Sequence, residues 1–220
     1  MNKRLFAIGD IHGCYKKFHA LIEENIQIKN SDKIILLGDY IDRGSQSKEV
    51  VDYIIDLQNK GFNIVPLIGN HEAMLLDAYN NNEFLSRWIQ NGGSETLKSF
   101  GIGSVKGFET KYLEFFKGLN HYVAIEEFLF VHAGFNDNLN NPFEDRYHMI
   151  WVCREKYKHP FLKDKTIIHG HSPISESFCN ENLQAKNQVI NIDTGCVYAE
   201  KVNYGKLTAI ELYSKVLFSI

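Results

Sequence analysis

The chain has 220 residues, of which 44% are hydrophobic and 23% charged, and these values are typical of one globular domain. Its net charge of -3 excludes a surface that is basic throughout, so we expect no nucleic-acid polymer as a partner. Because no apolar run approaches the ~20 residues of a membrane span and the cysteines form no CxxC pair, we expect a cytoplasmic protein with reduced thiols and no membrane partner.

Short apolar strands alternate with amphipathic helices over the first third of the chain. The predicted strands are Leu5–Ile8, 33–37 and 63–68, and the predicted helices are 15–25 and Ser47–Asn59. In the second of these helices, Val50, Ile54 and Leu57 fall on one face. Pro66 predicts that this part of the third strand lies near a sheet edge or a bend. The repeated order of strand, loop and helix predicts a parallel sheet.

The middle of the chain favours helices, and the last part favours strands. Helices are predicted at 72–79, 83–90 and 109–117, with breaks at 80–82 and in the glycine-rich stretch 91–107. We interpret residues 80–118 as a helical insert over the mouth of a site. Further strands are predicted at Tyr122–Ile125, Phe128–Val131, 166–168, 189–192 and 207–212. The expected fold class is α/β, mixed α+β towards the C-terminus, with two packed β-sheets flanked by helices in a single domain, 1–220.

Residues that can bind metal ions follow the predicted strands in a fixed order. The segments are Gly9-Asp10-Ile11-His12-Gly13, Gly38-Asp39-Tyr40-Ile41-Asp42-Arg43-Gly44 and Gly69-Asn70-His71-Glu72, with His132 and His171 further on. Because ligand sites lie beyond the carboxyl ends of strands in such sheets, we expect these side chains to converge. The Asp39 carboxylate can bridge two cations. Mixed nitrogen and oxygen ligands favour manganese, iron or zinc over calcium, and phosphate ester cleavage is the commonest reaction of such a metal pair.

Each motif taken alone also has a purely structural explanation. His132 could simply end a buried strand, and a glycine-flanked Asp-x-His could be a turn. The occurrence of all the motifs in order favours the metal site. His169 and His171 fall on the same face of a strand, so alternation alone does not decide which of them is a ligand. Tyr112, Phe115 and Phe116 have helical spacing, and we expect them in the core rather than in a base-stacking platform.

Together these segments resemble the PPP-type phosphoprotein phosphatases, a branch of the calcineurin-like metallophosphoesterases, and in particular their compact bacterial and phage members. The resemblance runs from Gly9 to about Leu212. It includes Val131-His132-Ala133-Gly134, Ile168-His169-Gly170-His171 and Asn191-Ile192-Asp193-Thr194-Gly195. These motifs are specific for the superfamily and less specific for the substrate. The symmetrical diadenosine tetraphosphate hydrolases are similar and share the core motifs.

The resemblance implies a dinuclear metal centre. The implied ligands are Asp10, His12 and Asp39 for the first ion and Asp39, Asn70, His132 and His171 for the second. His171 is preferred to His169 because Gly170 precedes it, as in the family. The expected cofactors are two divalent metal ions, with manganese preferred and iron or zinc as alternatives. A water bridging the two ions would attack phosphorus directly, without a covalent intermediate.

The resemblance also implies roles in substrate binding and proton transfer. Arg43, together with Asn70, would bind the phosphate oxygens, since a planar guanidinium matches them better than an ammonium does. His71 would protonate the leaving oxygen, and Asp42 would orient His71 and keep it cationic.

The second phosphate-binding arginine departs from the family pattern. It usually follows a tryptophan as Trp-x-Arg, but Trp151-Val152-Cys153-Arg154 has one residue more. Arg154 is still the expected residue, and Arg146 is the alternative.

Three functions are compatible with these motifs. The leading prediction is a serine/threonine phosphoprotein phosphatase, a metal-dependent enzyme that acts on phosphorylated proteins or peptides. The alternative is a symmetrical bis(5'-nucleosyl)-tetraphosphate hydrolase, whose dinucleoside polyphosphate substrate needs room for two nucleosides. The third is a noncatalytic module that binds metal or phosphate, and the complete set of ligands argues against it. Nothing in the sequence predicts the oligomeric state.

Overall fold

Two β-sheets pack face to face in the computed structural model, which describes residues 3–220. The strands are β1 (Leu5–Ile8), β2 (Lys33–Leu36), β3 (Asn63–Pro66), β4 (Tyr122–Ile125), β5 (Phe128–Val131), β6 (Thr166–His169), β7 (Val189–Asn191), β8 (Thr208–Glu211) and β9 (Val216–Ser219). The five-stranded sheet has the order β3-β2-β1-β8-β9, and the four-stranded sheet has the order β4-β5-β6-β7. The predicted class, a mixed α/β fold with two packed sheets, is confirmed.

Each sheet contains a run of parallel strands. In the first sheet β1, β2 and β3 are parallel, and β8 pairs with β1 in antiparallel register, with Ala7 opposite Ile210. In the second sheet β5, β6 and β7 are parallel. The predicted edge position of Pro66 is confirmed, because this residue ends the edge strand β3, where a missing N–H costs no ladder hydrogen bond.

Eight helices connect and cover the sheets in residues 3–220. They are α1 (Tyr15–Ala20), α2 (Ser47–Asn59), α3 (Asn70–Asn80), α4 (Leu85–Trp88), α5 (Ser94–Phe100), α6 (Thr110–Lys117), α7 (Arg146–Trp151) and α8 (Glu176–Gln184). A π-helical segment, Leu21–Ile26, continues α1. Helix α2 buries Val50, Ile54 and Leu57, the face that its periodicity predicts. None of these helices is both long and apolar enough to cross a bilayer.

The inner faces of the two sheets form a dry apolar layer. Ala7 and Ile35 of the first sheet meet Phe130, Ile168 and Ile190 of the second, and all five are at most 3% exposed. Burial on both faces explains why these strands read as continuous apolar runs rather than as alternating ones. This layer fixes the two sheets against each other and therefore aligns the loops at their ends.

Four elements differ from the sequence prediction. Helix α5 lies inside the glycine-rich stretch 91–107, which we expected to be irregular, and α7, α8 and β9 lie where no helix or strand was predicted. The glycines bound α5 rather than interrupt it, because Gly92 and Gly101 have positive φ and mark its two ends. Helix α8 buries only Cys179 and Leu183 and thus has little apolar periodicity. The region predicted as a helical insert, 80–118, contains α4, α5 and α6.

Candidate active site

The predicted site residues follow the carboxyl ends of parallel strands in both sheets. Asp10, Asp39 and Asn70 come after β1, β2 and β3, and His132 and His171 come after β5 and β6. Parallel strands end at one rim of a sheet, and the packing of the two sheets brings both rims together. The five side chains therefore meet, although up to 161 residues separate Asp10 from His171.

His12 and Asp39 form the first cluster. The His12 Nε2 lies 3.4 Å from the Asp39 Oδ2, and its Nδ1 donates to the Ile41 carbonyl at 2.9 Å. That bond fixes the ring tautomer, so the lone pair of Nε2 points into the site. The Arg43 Nη1 lies 2.6 Å from the same Nε2, which shows that this lone pair faces a cationic group.

Asn70, His132 and His171 form the second cluster, on the side of the other Asp39 oxygen. The His132 Nε2 lies 3.5 Å from the Asp39 Oδ1 and 3.0 Å from the Asn70 Oδ1. The His171 Nδ1 lies 2.9 Å from the Asn70 Oδ1. Since the His132 Nδ1 donates to the Leu37 carbonyl at 2.8 Å, its Nε2 is an acceptor facing another acceptor. Such a convergence of lone pairs fits a cation between them.

Asp10 joins the site beside a further carboxylate, Asp193. Both are 2% exposed. The backbone N–H of His171 donates to Asp10 at 3.1 Å, and a Cβ on Gly170 would collide with the Asp10 Oδ1. Glycine at position 170 therefore allows the loop after β6 to approach this carboxylate closely.

The protonation states of the site suit metal binding. Burial lowers the pKa of His12 and His132, and burial together with His132 lowers the pKa of His171 to about 4, so all three rings are neutral at pH 7. Burial opposes ionisation of Asp39, but the neighbouring imidazoles hold its pKa below the usual value.

The pKa shifts of Asp10 and Asp193 also fit metal binding. Burial and repulsion from Asp193 raise the pKa of Asp10 well above its ordinary value, and burial and Asp39 raise the pKa of Asp193 to about 7. Divalent cations would relieve this repulsion, and the donor set of carboxylates, one amide and imidazoles fits them.

His71 occupies the centre of the site but is held by a different partner. Its Nδ1 donates to the Asp42 Oδ2 at 2.7 Å. Its Nε2 is buried, lies 3.9 Å from the Asp39 Oδ2 and has no hydrogen-bond partner within the described residues 3–220. Burial alone would lower the pKa of His71, but Asp39 and the bond to Asp42 raise it. These interactions therefore favour the protonated ring, in which Nε2 also carries a proton.

Asp42 is in turn held by the helical region. The Trp88 Nε1 donates to it at 3.0 Å, and the Thr96 hydroxyl donates at 2.6 Å. All three side chains are completely buried. Helices α4 and α5 thus set the orientation of Asp42 and, through it, the orientation of His71.

Glu72 organises the loop that carries Asp39. Its carboxylate accepts backbone N–H groups from Asp39 at 2.9 Å, Tyr40 at 2.8 Å and Gly69 at 3.0 Å. Burial and Asp39 raise the pKa of Glu72, and these N–H donors oppose that rise. The sequence suggested only a helix cap, so the positioning role of Glu72 was missed, although its place in the third motif was a signal.

Several site residues adopt left-handed backbone conformations. They are His12 (φ 45°), Asp39 (φ 51°), Asp42 (φ 69°), Arg43 (φ 66°) and His171 (φ 73°). Residues other than glycine rarely take this conformation, and clusters of such residues occur at functional sites. The backbone hydrogen bonds of these loops hold the side chains in place against that local strain.

The arginines and the two candidate histidines lie in different places. Arg43 is exposed beside His12, whereas Arg154 lines a groove of about 820 Å³ together with His169. The His169 Nδ1 lies 2.9 Å from the Gly170 carbonyl, whereas the His171 Nδ1 lies 2.9 Å from the Asn70 Oδ1 and 3.2 Å from the His132 Nε2. Arg146 is exposed at the start of α7. In residues 3–220 neither Arg154 nor Arg146 forms a hydrogen bond or ion pair with a predicted metal ligand.

Sequence reasoning missed three contributors to the site. Trp88 and Thr96 donate to Asp42, and Asp193 repels Asp10. Asp193 stands in a segment already quoted for the resemblance, so its acidity was a usable signal. No local pattern pointed to Trp88 or Thr96, because they reach the site through tertiary packing.

Comparison with known proteins agrees with this geometry. The family model described as calcineurin-like phosphoesterase matches residues 3–196. The asymmetrical bis(5'-nucleosyl)-tetraphosphatase PrpE of Anoxybacillus flavithermus is 28% identical over 234 residues, which cover 92% of this chain and 88% of that protein. Serine/threonine-protein phosphatase 2 of Salmonella typhimurium is 27% identical over 224 residues, with 93% of each chain covered.

A solved structure shares the fold. A protein serine/threonine phosphatase from Saccharomyces cerevisiae aligns with 99% of this chain and 79% of its own, with a TM-score of 0.67 and 14% sequence identity. At that identity the likeness concerns the fold alone. The two-sheet architecture is therefore shared with proteins whose sequences have diverged widely.

Proposed function

Because the chain belongs to the calcineurin-like phosphoesterase family and is a metal-dependent phosphoester hydrolase, we propose that its substrates are proteins phosphorylated on serine or threonine. The observation that carries this proposal is the buried pair of His71 and Asp42, 2.7 Å apart. An alkoxide of serine or threonine is a poor leaving group and needs a proton, whereas a nucleoside polyphosphate leaves readily without one. A positioned acid is therefore most useful for the first kind of substrate.

We assign the metal ligands by their convergence. The proposed ligands are Asp10, His12 and Asp39 for one ion and Asp39, Asn70, His132 and His171 for the other. When bound, two divalent ions would activate a water and stabilise the charge that develops on the phosphoryl oxygens. Manganese is the proposed metal, with iron or zinc as alternatives, since the donors are mixed nitrogen and oxygen.

The side chains supply the rest of the chemistry. Arg43 and Asn70 bind phosphate oxygens, and Arg154 is proposed as a second guanidinium that binds part of the substrate. The His71 Nε2 gives its proton to the leaving oxygen, while Asp42 keeps the ring oriented. We also propose a cytoplasmic location, supported by the four free thiols within residues 3–220.

A second candidate is hydrolysis of dinucleoside tetraphosphates. The coverage of 92% of the chain by the PrpE relative supports it. The alternative predicted from the sequence is a symmetrical hydrolase, whereas that relative is an asymmetrical one. The products distinguish the two: symmetrical cleavage of diadenosine tetraphosphate yields two ADP, and asymmetrical cleavage yields ATP and AMP. A noncatalytic module is disfavoured, because every proposed ligand and the proton donor are present.

A paired assay tests the proposal. Metal-reconstituted protein is given a phosphothreonine peptide and diadenosine tetraphosphate at matched concentrations with manganese, and initial rates are compared. We expect much faster phosphate release from the peptide. Faster splitting of the dinucleotide would overturn the proposed substrate class and favour the second candidate. If the peptide, the dinucleotide and p-nitrophenyl phosphate all remain uncleaved, the noncatalytic alternative is supported.

A further inference from the structure

A cationic and aromatic group of side chains borders the metal site on the His171 side. The Arg87 guanidinium lies over the Trp151 ring, with Cζ 4.7 Å from the ring centroid. The Trp151 ring makes an edge contact with the His171 ring, with ring centroids 6.3 Å apart. Tyr147 stacks on the Trp151 ring, with ring centroids 6.4 Å apart. We name Arg87, Tyr147 and Trp151 the Trp151 rim. One aromatic ring thus separates the Arg87 charge from a proposed metal ligand.

The stacking leaves the donors of Arg87 available. A guanidinium that stacks through its flat face keeps its N–H groups at the edge, where they can bind an anion. In the part of the chain that the structure describes, the Arg87 side chain has no hydrogen bond and no ion pair. Arg87 and Tyr147 are exposed, and Tyr147 is 62% exposed, so a ligand can reach both. The indole therefore fixes the direction of the cation without occupying its donors.

The anchoring of α4 makes this cation a fixed one. The adjacent residue, Trp88, is completely buried and donates to Asp42, and Gly92 packs on the backbone of Arg43. The Arg87 backbone is thus tied to the residues that hold the phosphate and the proton donor. The position of the Arg87 backbone relative to Asp42 and Arg43 is therefore set by the packing of α4.

We propose that Arg87 determines substrate preference by binding a second anionic group, one that lies next to the scissile phosphate in the substrate. This inference rests on the proposed function, in which the second anion is an acidic side chain near the phosphorylated residue. Successive Cα atoms of a peptide are about 3.8 Å apart, so a residue one or two positions away can reach the Trp151 rim. In a dinucleotide the same role would fall to the next phosphate of the chain.

The test compares substrates that differ only in the second anion. The probes are a neutral phosphothreonine peptide, the same peptide with glutamates beside the phosphothreonine, and diadenosine tetraphosphate. In Arg87→Ala, kcat/KM for the acidic peptide relative to the neutral one should fall about tenfold, as expected for the loss of one charge-assisted hydrogen bond. The loss should appear mainly in KM, and Arg87→Lys should restore it only in part.

Lys98→Ala is the matched control, since Lys98 is an exposed cation of α5 paired with Glu95. Its preference for the acidic peptide should equal that of the unmodified protein. An equal loss in Lys98→Ala and Arg87→Ala would overturn the proposal, because the effect would then reflect net charge. The proposal would also be overturned if Arg87→Ala changed neither the ratio of kcat/KM between the acidic and neutral peptides nor kcat/KM for diadenosine tetraphosphate.

The two sources of the anion remain distinguishable. If peptides are hydrolysed and only the acidic one depends on Arg87, both the inference and the proposed function are supported. If no peptide is hydrolysed but cleavage of diadenosine tetraphosphate depends on Arg87, the proposed function fails, and the anion that Arg87 binds is a phosphate.

Discussion

His71 is the side chain that is proposed to protonate the leaving group. It is completely buried, its Nδ1 donates to Asp42, and its Nε2 has no hydrogen-bond partner among residues 3–220. Burial lowers its pKa, and the surrounding carboxylates more than compensate. These carboxylates therefore favour the protonated ring, whose Nε2 proton would face an oxygen that approaches this atom.

Substitution His71→Asn should reduce kcat for a phosphothreonine peptide by at least ~100-fold, because the alkoxide must then leave without a proton. The rate with p-nitrophenyl phosphate should fall much less, since a nitrophenolate leaves unaided. Metal content, measured on the same sample, should stay the same. Equal slowing of the two substrates would rule out the role of His71 as general acid.

His169 is a buried titratable group outside the metal clusters, and it should contribute to acid instability. Burial lowers its folded-state pKa to about 4, below the usual value of about 6.5. The unfolded chain then binds a proton more readily, so the free energy of unfolding should fall as pH drops from 7 towards 4, by roughly 3 kcal/mol from this residue. Urea denaturation of metal-free protein and of His169→Gln measures the difference. If the free energy of unfolding depends on pH in the same way in both proteins, the proposed contribution of His169 is contradicted.

At the scale of secondary structure, helices α4 and α5 hold Asp42, the partner of the proposed proton donor His71. Trp88 and Thr96 both donate to Asp42, and Thr96 also accepts the backbone N–H of Asp42 at 2.9 Å. These contacts join residues up to 54 positions apart. The orientation of His71 therefore depends on the helical region as well as on the strand-end loops.

Substitution Thr96→Val keeps the volume and removes the hydroxyl, so Asp42 loses one donor. We expect kcat for the phosphothreonine peptide to fall about tenfold, as for other residues that orient a catalytic group. Ser99→Ala is the control, since Ser99 lies on the same helix and accepts the Lys48 backbone N–H instead. A similar loss in both variants would mean that helix stability, rather than the bond to Asp42, limits turnover.

The elements that periodicity revealed are those that bury a regular face. Helix α2 matches its prediction in full because Val50, Ile54 and Leu57 recur at helical spacing over 13 residues. Helix α5 was missed because its flanking glycines resemble loop residues, although they serve as its ends. Helix α8 buries only two side chains, so its sequence carries too little periodicity to identify it.

At the scale of the whole molecule, the packing of two sheets turns separate motifs into one site. Asp10 and Asp39 follow strands of the first sheet, and His132 and His171 follow strands of the second. These residues were predictable because each sits in a short motif directly after an apolar strand. Arg87 was not, because its approach to Trp151 depends on how α4 packs on the rest of the chain.

At this scale we expect phosphoester hydrolysis to depend on two cations that share Asp39. Its two oxygens lie 3.4 Å from the His12 Nε2 and 3.5 Å from the His132 Nε2, one on each side. Loss of this carboxylate should therefore weaken both metal sites at once. The variant Asp39→Asn tests that coupling with little change in shape.

The most direct measurement is a manganese titration of chelated protein, with bound metal and turnover of a phosphothreonine peptide followed in the same samples. We predict no turnover without metal, full turnover when two ions are bound per chain, and neither full loading nor turnover in Asp39→Asn. Undiminished turnover in the chelated protein, or two bound manganese ions without hydrolysis of any phosphoester, would contradict the account.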